Sequence, residues 1–367
     1  MSPDYMREAL DLARQGQGRT SPNPTVGAVL VRDGRVVGRG FHTWAGVKHA
    51  EVLALEQAGE IARGATLYVT LEPCSHHGRT GPCSEALIAA GVSRVVTAMI
   101  DPNPLVSGVG MRRLREAGVT VETAPQYAKE AAAVNDAFLH FMRTGLPLVT
   151  LKAAVTLDGK ISAPEDNQGW ITSPTARAHV QQLRHRSDAI LTGIGTVLAD
   201  DCLMTDRTGL ERSRPLLRIV VDSTLRLPLT ARLVTSRQSD LLVVTTSAAS
   251  PERYRALENL GIKILTLDGS DGRTNLRRLV EYLAREKYLS LMIEAGSKLN
   301  WAVLESGVAD KIFFYYAPKI LGGLHSLPVV GGVGRRRRAD AILFRDVALH
   351  QIAEDEFAVE AWLVKDV

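Results

Sequence analysis

Apolar and polar positions along this chain change period several times, and each change marks an element. From Asp4 to Gly16 the apolar residues Met6, Ala9, Leu10 and Ala13 share one helical face. Residues 20–27, T-S-P-N-P-T-V-G, are kept out of a helix by two prolines. V-G-A-V-L-V, the turn Arg32-Asp33-Gly34 and R-V-V-G-R-G-F then read as a β-hairpin, because Asp-Gly suits a tight turn. A helix opens at His49 in H-A-E-V-L-A-L-E-Q-A-G, and Ala65–Leu71 is rich in strand formers. Pro82-Cys83-Ser84 starts the helical run E-A-L-I-A-A-G, since proline is preorganised for a first turn. S-R-V-V-T-A-M-I is a short buried strand, G-V-G-M-R-R-L-R-E-A-G a helix and V-T-V-E a strand. One long amphipathic helix is expected from about Gln126 to Arg143.

The Gly/Pro break at Thr144–Pro147 predicts a boundary between domains at about 1–145 and 146–367. Beyond it the β/α alternation restarts. Strand-like runs are Leu148–Val155, Ala189–Thr192, Leu216–Val221, Leu241–Thr245, Lys263–Leu267, Leu289–Ile293, Lys311–Tyr316 and Ala358–Val364, with helical patterns from near Pro174, Pro251, Thr274 and Ser297. Alternating units with short loops predict α/β domains, each with a mostly parallel sheet covered by helices. The halves do not resemble one another, so the chain is not an internal repeat.

With 367 residues there is enough chain for two cores. No apolar N-terminal run reads as a signal peptide and no charge-free stretch spans a bilayer, so a cytoplasmic protein with no membrane partner is expected. Three cysteines argue for a reducing compartment and against a disulfide framework. A net charge of +4 and a pI near 9.0 suit either a nucleic-acid binder or an enzyme for phosphorylated substrates. Arg335–Arg338 is the one low-complexity patch, and four adjacent arginines ordinarily form a solvated loop.

The chemistry concentrates between His49 and Cys83. His49, Cys74 and Cys83 can supply three protein ligands to one catalytic zinc ion, leaving a fourth position open. Cys74 follows a strand and Cys83 opens a helix, whose positive end favours a thiolate. Glu51 stands two residues past the histidine as the candidate proton carrier. Side chains two apart point to different sides of a mid-helix, so His49 and Glu51 share a cavity only if both lie in the first turn. Taken singly, each residue suits a core or solvated role. A structural zinc would ordinarily want a fourth protein ligand, and the third cysteine, Cys202, is far away in sequence. Asn23 either reads the edge of a heterocycle or caps a turn, and His42 faces either substrate or solvent.

H-A-E followed by P-C is similar to the signature of zinc-dependent nucleobase deaminases, although eight residues, 75 to 82, separate the cysteines here. S-P-N-P-T-V-G, G-F-H-T-W-A-G-V-K-H-A-E and T-L-E-P-C-S-H-H-G-R-T-G-P-C together resemble the deaminase half of the bifunctional riboflavin-biosynthesis deaminase–reductase family, which shows that longer spacing. L-K-A-A-V-T-L-D-G-K-I, W-I-T-S-P-T-A-R, L-T-G-I-G-T-V-L-A-D-D and I-E-A-G extend the resemblance over nearly the whole chain. It implies a cytidine-deaminase-like three-layer domain followed by a dihydrofolate-reductase-like α/β domain. It further implies zinc-dependent deamination of a phosphorylated pyrimidine and then reduction of its ribosyl group with NADPH.

By the same resemblance Ala154, Trp170, Thr196, Asp200, Ser223, Gly296 and Ser297 face NADPH, and Gln168, Arg184, Met204, Arg207 and Glu294 face substrate. Many family members have serine in place of Gln168. His76, His77 and Arg79 contact the pyrimidine and phosphoribosyl groups or form a solvated basic loop. Lys152 and Asp200 either give electrostatic help at the reducing carbon or serve the structure alone, and Trp170 has core packing as its alternative. Gly193 and Gly195 lie between a strand and a helix start, where backbone amides suit a phosphate or a nicotinamide. A homo-oligomer is expected. The competing reading is a nucleic-acid base deaminase with a C-terminal binding module, which would call for a basic stripe interleaved with aromatics; aromatics are few here, and no nucleic-acid partner is expected.

Overall fold

Asp4 accepts a hydrogen bond from the Arg7 backbone N–H and so caps α1 (Tyr5–Gln15), whose buried face is Met6, Ala9, Leu10 and Ala13. The computed structural model describes residues 3–43, 48–75, 81–102, 107–165, 169–237, 240–269 and 271–365. The chain divides into one unit of Met1–Gly145 with Glu211–Arg214 and another of Leu146–Leu210 with Pro215–Val367.

In the first unit the expected hairpin is β1 (Gly27–Arg32) and β2 (Arg35–Phe41). There follow α2 (Ala50–Ala58), β3 (Thr66–Val69), α3 (Cys83–Ala89), β4 (Arg94–Thr97), α4 (Val109–Glu116), β5 (Thr120–Thr123), α5 (Ala128–Val134) and α6 (Asp136–Thr144). The sheet order is β2-β1-β3-β4-β5, with β1 antiparallel to both neighbours and β3 to β5 parallel. Alternate residues of the strands enter two cores. Ala28, Leu30, Leu67 and Val95 pack with Ala54, Leu87 and Leu114 of α2, α3 and α4, whereas Val29, Val31 and Val96 pack with Leu10 and Ala131 of α1 and α5. The result is the expected three-layer arrangement. Helix α2 lies close on β2 because Gly38 and Gly40 carry no side chain; a Cβ at either would stand 2.0 or 2.1 Å from the carbonyl oxygen of Ala54 or Ala50.

The single helix expected at 126–143 is instead two, α5 and α6, broken at Asn135. Its buried side chain accepts from the Thr25 N–H at 2.7 Å and donates to the Thr25 carbonyl at 2.8 Å, so it serves the loop before β1 in place of helix continuity.

The second unit contains β6 (Leu148–Thr156), β7 (Lys160–Ser162), α7 (Pro174–Arg186), β8 (Ala189–Gly193), α8 (Ile194–Asp200), β9 (Leu217–Val221), α9 (Arg232–Thr235), β10 (Leu241–Thr245), α10 (Pro251–Glu258), β11 (Lys263–Thr266), α11 (Leu276–Arg285), β12 (Ser290–Ile293), α12 (Ser297–Glu305), β13 (Lys311–Ala317), β14 (Leu327–Pro328), β15 (Phe344–Ala353) and β16 (Glu356–Leu363). Among the described residues its large sheet runs β11-β10-β9-β8-β12-β6-β13-β16-β15, parallel from β11 to β13 and antiparallel at β16 and β15. Helices α11 and α12 cover one face and α8, α9 and α10 the other, with α7 against β13 and β16. Strand β15 had no sequence signal because most of its side chains are exposed, so no buried face imposes an alternating pattern.

Candidate active sites

His49 sits just before α2, in extended conformation at φ −74° and ψ 161°, and Glu51 lies in that helix's first turn. The geometric condition for a shared cavity is therefore met. Cys74 follows β3 and Cys83 is the first residue of α3, whose backbone N–H points at the Cys74 sulfur from 3.3 Å. The Nδ1 of His49 stands 3.1 Å from the Cys83 sulfur and 3.5 Å from that of Cys74, and the three ligand atoms all lie within 4.8 Å of one another.

Tetrahedral zinc bonds to one imidazole and two thiolates would hold such atoms about 3.5 to 3.8 Å apart, so the set fits that ion with little movement. The donor chemistry fits as well. Hydrogen bonding from Cys83, helped by His49, lowers the Cys74 thiol, and the same bond raises that of Cys83: without a cation the pair keeps one proton between two sulfurs. A dication removes that conflict.

Glu51 is buried, and that burial, with the Cys74 sulfur adding to it, pushes its carboxyl up to about 7. A carboxyl titrating near neutrality is suited to taking and returning a proton. His42 packs edge-on to His49 with ring centroids 5.2 Å apart. Its Nδ1 faces the Lys48 carbonyl at 3.0 Å and so carries the proton, leaving Nε2 to accept from the Asn23 side-chain amide at 3.2 Å. Burial lowers the pKa of His42 and keeps the ring neutral. Asn23 and His42 thus stand beside the cluster as one hydrogen-bonded pair. His76, His77 and Arg79 lie outside the described residues, as does Gln168 in the second unit.

In the second unit Glu294, one residue past β12, accepts from Arg184 Nε at 2.8 Å and from Lys152 Nζ at 3.2 Å. All three side chains are nearly buried, at 10 to 14% exposure, which makes this a built ionic cluster rather than a surface pair. Arg184 also donates to the Thr205 carbonyl at 2.9 Å, and the Gln181 side chain accepts from the Arg207 N–H at 2.9 Å. The segment carrying Met204, held at φ 56°, and Arg207 is thereby fastened to α7. His185 and Asp206, 2.9 Å apart and buried, complete this attachment. Sequence reading missed both, because a histidine and an aspartate 21 residues apart carry no local signal.

Helices α8 and α12 begin after Gly193 and Gly296, and a Cβ placed on Gly296 would lie 3.8 Å from Thr196 Oγ1, so the two helix starts adjoin. The Ser297 hydroxyl is buried and, among the described residues, without a hydrogen-bond partner. A glycine-lined cradle with an unanswered hydroxyl fits the phosphates of a dinucleotide. The Ser223 carbonyl, after β9, accepts from Thr246 Oγ1 at 2.8 Å. Ala154 on β6 is half-buried against the α7 cluster. Asp200 ends α8 with its side chain exposed. Trp170 is 67% exposed, which rules out core packing, and the Arg177 guanidinium lies 4.8 Å from the centre of its ring.

A chain with these two units falls in the class of two-domain enzymes that join a zinc-type deaminase to a nucleotide-dependent reductase. Residues 2–99 match the cytidine and deoxycytidylate deaminase zinc-binding region, and residues 147–356 match the RibD C-terminal domain. The chain is 43% identical to riboflavin biosynthesis protein RibD of Escherichia coli (strain K12), over 96% of each, and 40% identical to that of Bacillus amyloliquefaciens, over 97% of this chain and 95% of the relative. Among solved structures it is similar to Acinetobacter baumannii RibD, form 1, with a TM-score of 0.85, 37% identity and 98% of each chain covered. The diaminohydroxyphosphoribosylaminopyrimidine deaminase/5-amino-6-(5-phosphoribosylamino)uracil reductase of Thermotoga maritima gives a TM-score of 0.81 at 33% identity, again over 98% of each chain.

The chain belongs to the RibD family of bifunctional riboflavin-biosynthesis deaminase–reductases. Its cofactors are zinc for the first domain and NADPH for the second. Among the described residues no helix is long and apolar enough to cross a membrane.

Proposed function

We propose that residues 1–145 deaminate 2,5-diamino-6-(5-phosphoribosylamino)pyrimidin-4(3H)-one and that residues 146–367 then reduce the ribosyl group to give 5-amino-6-(5-phosphoribitylamino)uracil. The observation that carries the first half is the meeting of His49, Cys74 and Cys83 with Glu51 buried beside them. In this reading His49, Cys74 and Cys83 hold the metal, which when bound supplies the Lewis acidity that makes water nucleophilic near neutral pH. Glu51 takes a proton from the attacking water and returns it to the amine that leaves as ammonia. Asn23, oriented by His42, keeps an amide face free to recognise the edge of the pyrimidine, and His76 and Arg79 bind the remainder of the substrate.

In the second domain NADPH supplies the hydride. Thr196, Gly296 and Ser297 cradle its phosphates, while Ala154, Trp170, Asp200 and Ser223 bind along its length. Lys152, Arg184 and Glu294 form the polar floor beneath the substrate. Met204 and Arg207 contact it from the fastened segment, the guanidinium of Arg207 pairing with its phosphate. Gln168 is a further substrate contact in this reading.

The test is incubation of the purified chain with the diaminopyrimidine phosphate, with and without NADPH. Ammonia is expected in both cases and NADPH oxidation only after deamination; absence of ammonia from zinc-loaded protein would refute the assignment.

The zinc thiolates require a reducing compartment, which supports a cytoplasmic enzyme; fractionation of cells checks it. The long edge strand β15, with Val347 and Leu349 uncovered, supports a homo-oligomer, to be checked by light scattering. No nucleic-acid partner is part of this reading, and RNA binding tighter than NADPH binding at physiological salt would count against it.

A further inference from the structure

Glu72 is an acid placed where the strand β3 hands over to the ligand Cys74, and it is only 4% exposed. Its main chain is already used, since its N–H donates to the Met99 carbonyl at 3.1 Å. The side chain turns instead to the start of α4. One carboxylate oxygen accepts from the N–H groups of Gly108, at 2.9 Å, and Asp101, at 3.3 Å; the other accepts from that of Met111 at 3.2 Å. Three backbone donors around one acceptor-only group, at the positive end of a helix, form a directional lock.

Gly110 closes the same contact. A Cβ there would stand 1.9 Å from the Pro73 carbonyl oxygen, so α4 rests directly on the residue before Cys74. On its other side Cys74 is held by α3, where the Ser84 N–H donates to the Cys74 carbonyl at 3.1 Å and the Cys83 N–H points at its sulfur. The segment Glu72-Pro73-Cys74 is therefore gripped between two helix starts. Only the α3 side belongs to the ligand set itself.

Resting on the reading of His49, Cys74 and Cys83 as the zinc ligands, we infer that Glu72 is a positioning residue for Cys74: its carboxylate fixes α4 against Pro73 and so sets the sulfur at its place in the metal site. A glutamine there keeps the shape but turns an N–H₂ toward backbone donors, loosening the lock without emptying the space.

The test uses the full chain, stripped of metal and titrated with Zn²⁺ against a chromophoric chelator. Glu72→Gln should bind zinc at least about 10-fold more weakly than wild type, the scale expected when groups supporting a metal ligand are altered. Gly110→Ala should shift affinity in the same direction while leaving the Glu72 carboxylate in place. Glu85→Gln, which removes the exposed pairing of α3 to α4 through Arg113, should leave affinity unchanged. Melting of the zinc-free protein is followed in parallel. If Glu72→Gln and Gly110→Ala lower the melting temperature but hold zinc as tightly as wild type, Glu72 merely caps α4 and the inference is overturned. If Glu72→Gln does not fold, Glu72→Asp, whose shorter carboxylate cannot reach all three donors, is titrated in its place, and zinc held as tightly as by wild type overturns the inference. Failure of the wild-type chain to take up one zinc would instead overturn the ligand assignment beneath it.

Discussion

Arg184 and Glu294 are joined by two parallel hydrogen bonds, Nε to Oε1 at 2.8 Å and Nη2 to Oε2 at 3.1 Å, in a nearly buried setting. Such a fork fixes both side chains, and Lys152 shares the second oxygen. Removing the arginine leaves the carboxylate half-paired and frees the Thr205 carbonyl that fastens the Met204 segment. Arg184→Ala should therefore lower kcat/KM of the reductase by about 100-fold or more, which is about 3 kcal/mol or more of lost transition-state stabilisation, the lower end of the cost of breaking a buried pair. Ammonia release by the deaminase should stay at the wild-type rate. Equal damage to both activities would show that the two sites are not separable in this way.

The same cluster makes a prediction about acid. Burial by itself would raise the Glu294 carboxyl, but the Lys152 and Arg184 charges outweigh it and hold it down to about 2, against an ordinary 4.5. A carboxyl depressed by folding contributes stability that is present in full above the unfolded value and is lost as pH falls through the folded one. The window here lies between about 4.5 and 2. Melting of the reductase unit should fall through that window. Glu294→Gln, with no proton to take up there, should show a shallower slope although it is less stable at pH 7. Parallel slopes for the two proteins would mean that Glu294 is not held down by its partners.

How far the fold could be read from the sequence is clearest at Asn135. The Asp33-Gly34 turn between β1 and β2 and the spacing in α1 are local, and turn chemistry and apolar periodicity report them. The break between α5 and α6 is not local, because the partner of Asn135 is Thr25, 110 residues away. Asn135→Ala should favour the continuous helix that the pattern suggests while leaving a buried N–H and C=O of Thr25 without partners. The expected cost is about 2 kcal/mol, a drop of several degrees in the melting of the deaminase unit, with the loop bearing Asn23 loosened. An unchanged melting temperature would show that water replaces the amide at no cost.

The sites divide in the same manner. His49, Glu51, Cys74 and Cys83 were legible because two helix starts and one strand end bring them together, and the start of α3 carries a short-range mark in Pro82. The partners of Glu294 were not, since Lys152 and Arg184 come from different elements 142 and 110 positions away. The resemblance singled out Arg184 and Glu294, Lys152 stood only as a candidate for electrostatic help, and neither reading said that they touch. Glu72 stood in plain view before Pro73 and Cys74, yet its three partners lie 29 to 39 residues further on.

Glu51 gives the sharpest separation between holding the metal and moving protons. Its carboxyl is buried in the first turn of α2, close to the Cys83 thiol, and is not among the three groups placed so that they could hold a metal ion. Glu51→Gln keeps the volume and a hydrogen-bonding oxygen but can no longer carry a proton from water to amine. The variant should retain one zinc per chain by metal analysis and lose ammonia release by a factor of about 100 to 10,000, the range for removing a general acid–base. When supplied with the deaminated intermediate it should oxidise NADPH at the wild-type rate. Loss of zinc together with ammonia release would make Glu51 a support of the metal site, and the proton would then have to travel by another group.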